Sequence, residues 1–234
     1  MCEGIFRPLA HPLVLLLARL RVPPPLVVAA AGSAGVAAAV ELGRGSLLAA
    51  ALLVQLKTLL DNADGQLARL SGRTSAAGRY LDSEADLLVD AALFAALGWR
   101  TGAPALALAG FLSLTAVLSL NFNAERLARA AAAEPDPEGR VAALLLRGVY
   151  RCLYAPQDRL AERIAARRPA LTSPLAVSLL ANAGLSTQLA AFGLLLALGR
   201  PLAFCWLALG ELAAVALALA LAPRRAPRTQ EEVA

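Results

Sequence analysis

Histidine is nearly absent from this 234-residue chain, His11 being the one instance. Acid–base catalysis or metal ligation by clustered imidazoles is therefore excluded. Cys2, Cys152 and Cys205 are scattered, with neither a CxxC pair nor an even framework, so neither a disulfide scaffold nor a zinc site is indicated. Lysine is equally scarce: Lys57 stands alone beside 21 arginines. There is no internal repeat of about 20–50 residues and no nucleic-acid-binding motif. No cleavable signal peptide is expected either, because arginines flank the first apolar segment on both sides and Pro8 and Pro12 interrupt it.

What the chain has in abundance is apolar residues. They make up 59% of the sequence, and the mean hydropathy is +0.63. An all-α integral membrane protein is the expected class, with an unusually Ala- and Leu-rich soluble bundle as the alternative. Leu9 to Leu20 is short, apolar and bordered by Arg7, Arg19 and Arg21, which predicts an amphipathic helix on the membrane surface. Pro23, Pro24 and Pro25 end it. Six apolar stretches follow, at roughly 25–42, 46–70, 76–98, 104–130, 174–198 and 202–222, each near the ~20 residues that a bilayer crossing needs.

The arginines give these spans an orientation. On one side the turns hold only Arg44, Arg100 and Arg200, Lys57 lies within a span, and every other arginine falls on the opposite side. The positive-inside rule then makes both termini cytoplasmic, and the Arg-, Ala- and Leu-rich composition points to a bacterial-type cell, with the plasma membrane as the expected location. The expected organisation is a juxtamembrane segment at 1–22, a six-helix domain at 23–222 and a cytoplasmic tail at 223–234. Within the domain, 131–172 is a basic cytoplasmic connection, read as a solvated hairpin whose arginines set topology, or as a surface that meets anionic groups.

One run stands apart from this apolar background. Asp61 to Asp86 reads DNADGQLARLSGRTSAAGRYLDSEAD. Charges in membrane segments are costly and usually functional. Asp61, Asp64, Gly65 and Ala68 share one helical face, and Gly78, Asp82 and Asp86 recur every four residues on the next helix. If the two faces meet, four carboxylates converge near the cytoplasmic surface. Oxygen ligands without His or Cys favour hard cations such as Mg²⁺ or Mn²⁺, and four acids can hold two of them. Gly65 and Ala68 leave room for a bulky ligand beside the acids, and Arg69, one turn beyond Gly65, is placed to hold a phosphate. Taken singly, Glu84 and Asp90 read as helix-capping or ion-paired acids.

The run fits D-x2-D-G-x2-A-R-x8-G-x3-D-x3-D at every fixed position, and so resembles the signature of the CDP-alcohol phosphatidyltransferase family. The expected six-span topology with a leading surface helix is also similar to that family's. The resemblance implies an enzyme that takes CDP-diacylglycerol and a small alcohol acceptor, transfers the phosphatidyl group, and releases CMP. It implies one metal on Asp61, Asp64 and Asp82, a second on Asp61, Asp82 and Asp86, and Asp86 as general base. It further implies that Gly65 and Ala68 accommodate the cytidine, that Arg69 contacts the diphosphate, that Ser75 contacts the nucleotide lipid, and that the protein is a homodimer. The chain departs from the family in one element: Pro23-Pro24-Pro25-Leu26-Val27 stands where many members have a Pro-Asn-x-x-Thr-like segment.

The acceptor is expected to be a phosphorylated polyol such as inositol phosphate or glycerol phosphate, with Arg73, Arg79, Arg126 and Arg129 as candidate cations and Asn121 and Asn123 as candidate hydroxyl partners. A CDP-linked polar alcohol with a lipid acceptor uses the same motif. A cation transporter and an inactive scaffold are the rival classes.

Overall fold

Proline and glycine mark the helix boundaries. Pro24 and Pro104 each open a helix, where a missing N–H costs nothing because it has no intrahelical partner. Gly45 closes the helix begun at Pro24 with φ 90°, a left-handed conformation that residues with a Cβ rarely adopt.

A computed structural model describes residues 2–128, 156, 159–160, 162–164, 177–178, 180 and 182–221. Within them, seven helices of 13 residues or more follow in order: α1 (Cys2–Arg19), α2 (Pro24–Arg44), α3 (Leu47–Leu70), α4 (Ala76–Thr101), α5 (Pro104–Ala128), α6 (Leu185–Ala197) and α7 (Ala203–Leu221). No strand occurs among the described residues. The linker at 131–138, most of the basic stretch at 139–169 and the tail at 223–234 lie outside them, as do Arg129 and the side chains of Arg79 and Arg126.

Among the described residues, three helices are long and apolar enough to cross a membrane: α2, the Pro104–Glu125 part of α5, and α7, with mean hydropathies of 1.8, 1.9 and 2.1. α3 and α4, at 24 and 26 residues, extend about 36 and 39 Å at 1.5 Å per residue. They have the length, but they carry the acidic run. α6 is 13 residues, shorter than a crossing, and residues 174–176, 179 and 181 of the fifth expected stretch lie outside the described residues.

α3 and α4 run antiparallel and divide their labour along their length. The first half of α3 (Ala50, Ala51, Val54) and the second half of α4 (Val89, Leu93, Phe94, Leu97) are buried in one apolar cluster with α2, α5, α6 and α7. Phe192 and Phe204 stack within it at 4.6 Å between centroids, and Phe94 lies 5.7 Å from Phe204. The opposite halves carry the acids. Packing at one end thus fixes the register of the charged end.

Small residues make the close approaches. α2 buries Ala31, Ala34, Gly35, Ala38 and Ala39, which lets neighbouring backbones come near. A Cβ on Gly35 would stand 2.8 Å from Val89 Cγ2 and 3.2 Å from Val89 Cβ. No larger residue fits there without moving α4.

α1 differs from the expected surface helix in extent and setting. It begins at Cys2 rather than near Leu9 and includes Pro8 and Pro12. Ala10 and Val14, one turn apart, are buried against Val27 of α2 and Ala63 and Leu67 of α3. That burial offsets the hydrogen bonds the prolines forgo. Gln66 Nε2 also donates to the Arg7 carbonyl at 3.1 Å. α1 therefore braces the back of the acidic half of α3, while Leu9, Leu16 and Leu20 remain exposed.

Gly35→Leu is expected to destabilise the protein by about 1–3 kcal/mol through overpacking against Val89. The check is a thermal melt in detergent, where an unchanged midpoint would contradict the α2–α4 approach.

Candidate metal centre

The acidic halves of α3 and α4 are joined by five residues, 71–75. Gly72, at φ 64°, directs its N–H to the Arg69 carbonyl at 3.3 Å, and the Arg73 N–H reaches the Ala68 carbonyl at 2.9 Å. This paired closure turns the chain sharply after α3. Ser75 then caps α4, its hydroxyl accepting the Gly78 N–H at 3.0 Å. Such a short reversal sets the helices antiparallel and brings the two acidic faces opposite each other.

Carboxylate oxygens of Asp61, Asp64 and Asp82 all lie within 4.8 Å of one another. Asp64 is buried, and Asp61 and Asp82 are half-buried. The fourth acid of the run is not in this trio. Asp86, one turn beyond Asp82, is bonded instead to the ammonium of Lys57. Lys57 Nζ also donates to Asp61 Oδ1 at 3.1 Å, and its side chain is 2% exposed. The sequence-predicted ligands therefore fall into a trio and a fourth acid linked to that trio through a lysine.

The trio suits a divalent cation. Buried polar atoms are normally hydrogen-bonded, yet Asp64 Oδ2 is buried with no hydrogen-bond partner among the described residues. Three converging carboxylates of like charge are not stable neighbours without positive charge among them. Their donors are all oxygen, the chemistry of Mg²⁺ and Mn²⁺ rather than of zinc or copper.

The small residues of the run line the same end. Arg69 is exposed and folds back over Gly65: a Cβ there would stand 3.5 Å from its Nη1 and 3.6 Å from its Nη2. A methyl group on Gly65 would just touch the guanidinium, and a longer side chain would compete with it for space. Ala68 is half-buried. Ser75 and Gly78 meet through the cap bond, and a Cβ on Gly78 would stand 3.1 Å from Ser75 Oγ.

Two polar residues in this region are absent from the sequence-based set of candidates. Lys57 was legible as a lone lysine in an apolar run, four residues before Asp61; its contact with Asp86 crosses between helices. Asn62 Nδ2 donates to Ser186 Oγ at 3.0 Å and ties α3 to α6. Glu84 departs from its capping or ion-paired reading: it is buried, and neither carboxylate oxygen has a hydrogen-bond partner among the described residues.

The family model described as CDP-alcohol phosphatidyltransferase matches residues 9–222. Over 82 residues the chain is 38% identical to the bifunctional IPC transferase and DIPP synthase of Thermococcus kodakarensis; the match takes in 35% of this chain and only 19% of that protein's length. Two solved structures of the Mycobacterium tuberculosis phosphatidylinositol phosphate synthase are also similar. The form in complex with manganese and citrate has 22% identity and a TM-score of 0.44, over 84% of this chain and 88% of that one. The form with CDP-DAG bound has 24% identity and a TM-score of 0.40, over 87% and 94%.

Mn²⁺ is expected to raise the thermal midpoint of the detergent-purified protein, by the equivalent of about 2.7 kcal/mol at a hundredfold excess over Kd. Asp64→Asn should lose most of that gain. A variant stabilised by Mn²⁺ as strongly as the parent would remove Asp64 from the ligand set.

Proposed function

The chain belongs to the CDP-alcohol phosphatidyltransferase family, and from that premise we propose that it moves a phosphatidyl group from CDP-diacylglycerol to the hydroxyl of a small polar alcohol, releasing CMP. The observation that carries this reading is the convergence of Asp61, Asp64 and Asp82 from two helices, with Asp86 one turn away. A phosphorylated polyol, such as inositol phosphate or glycerol phosphate, is the proposed acceptor class.

Asp61, Asp64 and Asp82 would hold one Mg²⁺ or Mn²⁺, and Asp61, Asp82 and Asp86 a second. Bound there, the ions supply positive charge against the donor's diphosphate and the charge that develops at the transferring phosphoryl group. The protein's own groups do the rest. Gly65 and Ala68 leave the surface of α3 low enough for the cytidine to approach. Arg69, exposed at the end of α3 and reaching back over Gly65, pairs with a diphosphate oxygen. Ser75 and Gly78 order the turn beside the nucleotide.

The acceptor hydroxyl oxygen attacks the β-phosphorus as its proton passes to an Asp86 carboxylate oxygen. The bond from that phosphorus to the bridging oxygen breaks, and CMP leaves with the electron pair. Arg69 faces the negative charge of the leaving nucleotide.

The same reading places six crossings in a plasma membrane, with 23–222 as the catalytic domain, 1–22 as a juxtamembrane segment on the membrane surface and 131–172 as a cytoplasmic basic connection. The site opens on the cytoplasmic side, where the donor's tails stay in lipid while its diphosphate meets a soluble acceptor. The apolar character of α2, α5 and α7 supports the membrane setting, and exposed Leu9, Leu16 and Leu20 give α1 an apolar face toward lipid. A homodimer is the proposed assembly.

The test is CMP release by purified protein in nanodiscs with CDP-diacylglycerol, Mg²⁺ or Mn²⁺, and separate acceptors: inositol phosphate, glycerol 3-phosphate, inositol, serine or none. Release that requires both a metal and one acceptor is expected. Silence with every acceptor would count against the reading. Asp86→Asn is expected to lower turnover by at least about 10²–10⁴-fold while the protein stays folded. A fully active Asp86→Asn enzyme would take that residue out of the base role.

A further inference from the structure

Lys57 has no place in the transfer just described, yet it sits at the centre of the charged layer. It is the chain's one lysine, it is 2% exposed, and its ammonium touches both Asp61 and Asp86. Those two carboxylates are two of the three proposed for the second ion. Asp64, the acid reserved for the first ion, has no contact with Lys57 among the ion pairs of the described residues. The ammonium therefore takes two of the second ion's three carboxylates and only one of the first ion's, the shared Asp61.

The ammonium holds one oxygen of each carboxylate, Oδ1 of Asp61 and Oδ1 of Asp86, and a divalent cation bound between the same two groups would lie close to it, where like charges repel. Charge points the same way. With Lys57 and one divalent ion, the four carboxylates retain a single net negative charge. A second ion would turn those four carboxylates positive, or bring them level with buried Asp90 counted, and an anion joining it restores a negative balance. The donor's diphosphate is such an anion.

We propose that Lys57 is a positioning residue that holds Asp61 and Asp86 as a built-in counter-cation, so that the resting site takes one divalent ion and admits the second only together with the diphosphate. The claim rests on the metal-dependent transfer reading above and specifies its order of assembly. When the second ion arrives, the flexible four-carbon stem lets the ammonium withdraw from Asp86, which is then free to act as base. Asp90, buried one turn further along the same face of α4, offers the displaced ammonium another carboxylate. An ion pair serving only to join α3 to α4 would affect stability without altering how many ions bind.

The experiment counts Mn²⁺ bound per chain by electron paramagnetic resonance in detergent, with and without CDP as the diphosphate probe. The wild-type protein is expected to bind one ion alone and two with CDP. Lys57→Met should bind two without CDP, and Lys57→Arg, which keeps the cation, should return to one. Two ions on the wild-type protein without CDP would overturn the proposal, as would a Lys57→Met protein that folds and stays at one. If Lys57→Met does not fold, the same counts on Lys57→Gln, which also removes the cation, decide the matter. The count does not depend on turnover. A switch from one ion to two that is lost when the Lys57 cation is removed, with no CMP release for any acceptor, would support the role of Lys57 and refute the transfer reading alone. No Mn²⁺ binding by the wild-type protein would sink both.

Discussion

Four carboxylates held near one another within apolar helices repel, and every other feature of this fold serves to keep them together. Asp61, Asp64 and Asp82 have oxygens within 4.8 Å of each other, and Asp86 joins them through the Lys57 ammonium. In a medium of low dielectric that crowding is tolerated only where cations share the space. One cation is built into the chain. In the proposed reading the rest of the charge balance falls to divalent ions, which would make the site a metal centre rather than a structural ion pair.

The mechanical support comes from the opposite end of the same two helices. Ala50, Ala51 and Val54 of α3 pack with Val89, Leu93 and Leu97 of α4 and the Phe192–Phe204 stack. Gly35 lets α2 press against Val89, one turn beyond Asp86 with a residue of offset. Behind the acids, Ala10 and Val14 of α1 cover Ala63 and Leu67. Between these clamps the polar ties are few and specific: Asn62 to Ser186, and Gln66 to the Arg7 carbonyl. Apolar packing holds the register while the acids remain available to ligands.

Much of this was legible in the chain because helices write their faces at fixed intervals. Spacings of three and four put Asp61 with Asp64, and Asp82 with Asp86, on single faces. The short 71–75 connection between two long apolar helices made an antiparallel pair the natural outcome. Other features depend on contacts between elements, which periodicity does not encode. Lys57 meets Asp86 across 29 residues, so spacing alone revealed only its neighbour Asp61. Ser75 was noticed for a ligand role, and it also caps α4, a local bond that its position at a turn could have foretold. The apolar run suggested a helix beginning near Leu9, but α1 starts at Cys2 and runs through Pro8 and Pro12, where burial of Ala10 and Val14 outweighs the lost backbone bonds. Glu84 has the composition of a surface acid and the setting of a buried one, a distinction made by packing and not by sequence.

The measurement that bears most directly on the central claim is anomalous diffraction at the manganese edge from crystals of the protein grown in lipid with Mn²⁺. The account predicts a manganese peak enclosed by the carboxylates of Asp61, Asp64 and Asp82. Manganese bound elsewhere, with that trio left to hydrogen-bond or pair with arginines, would contradict it.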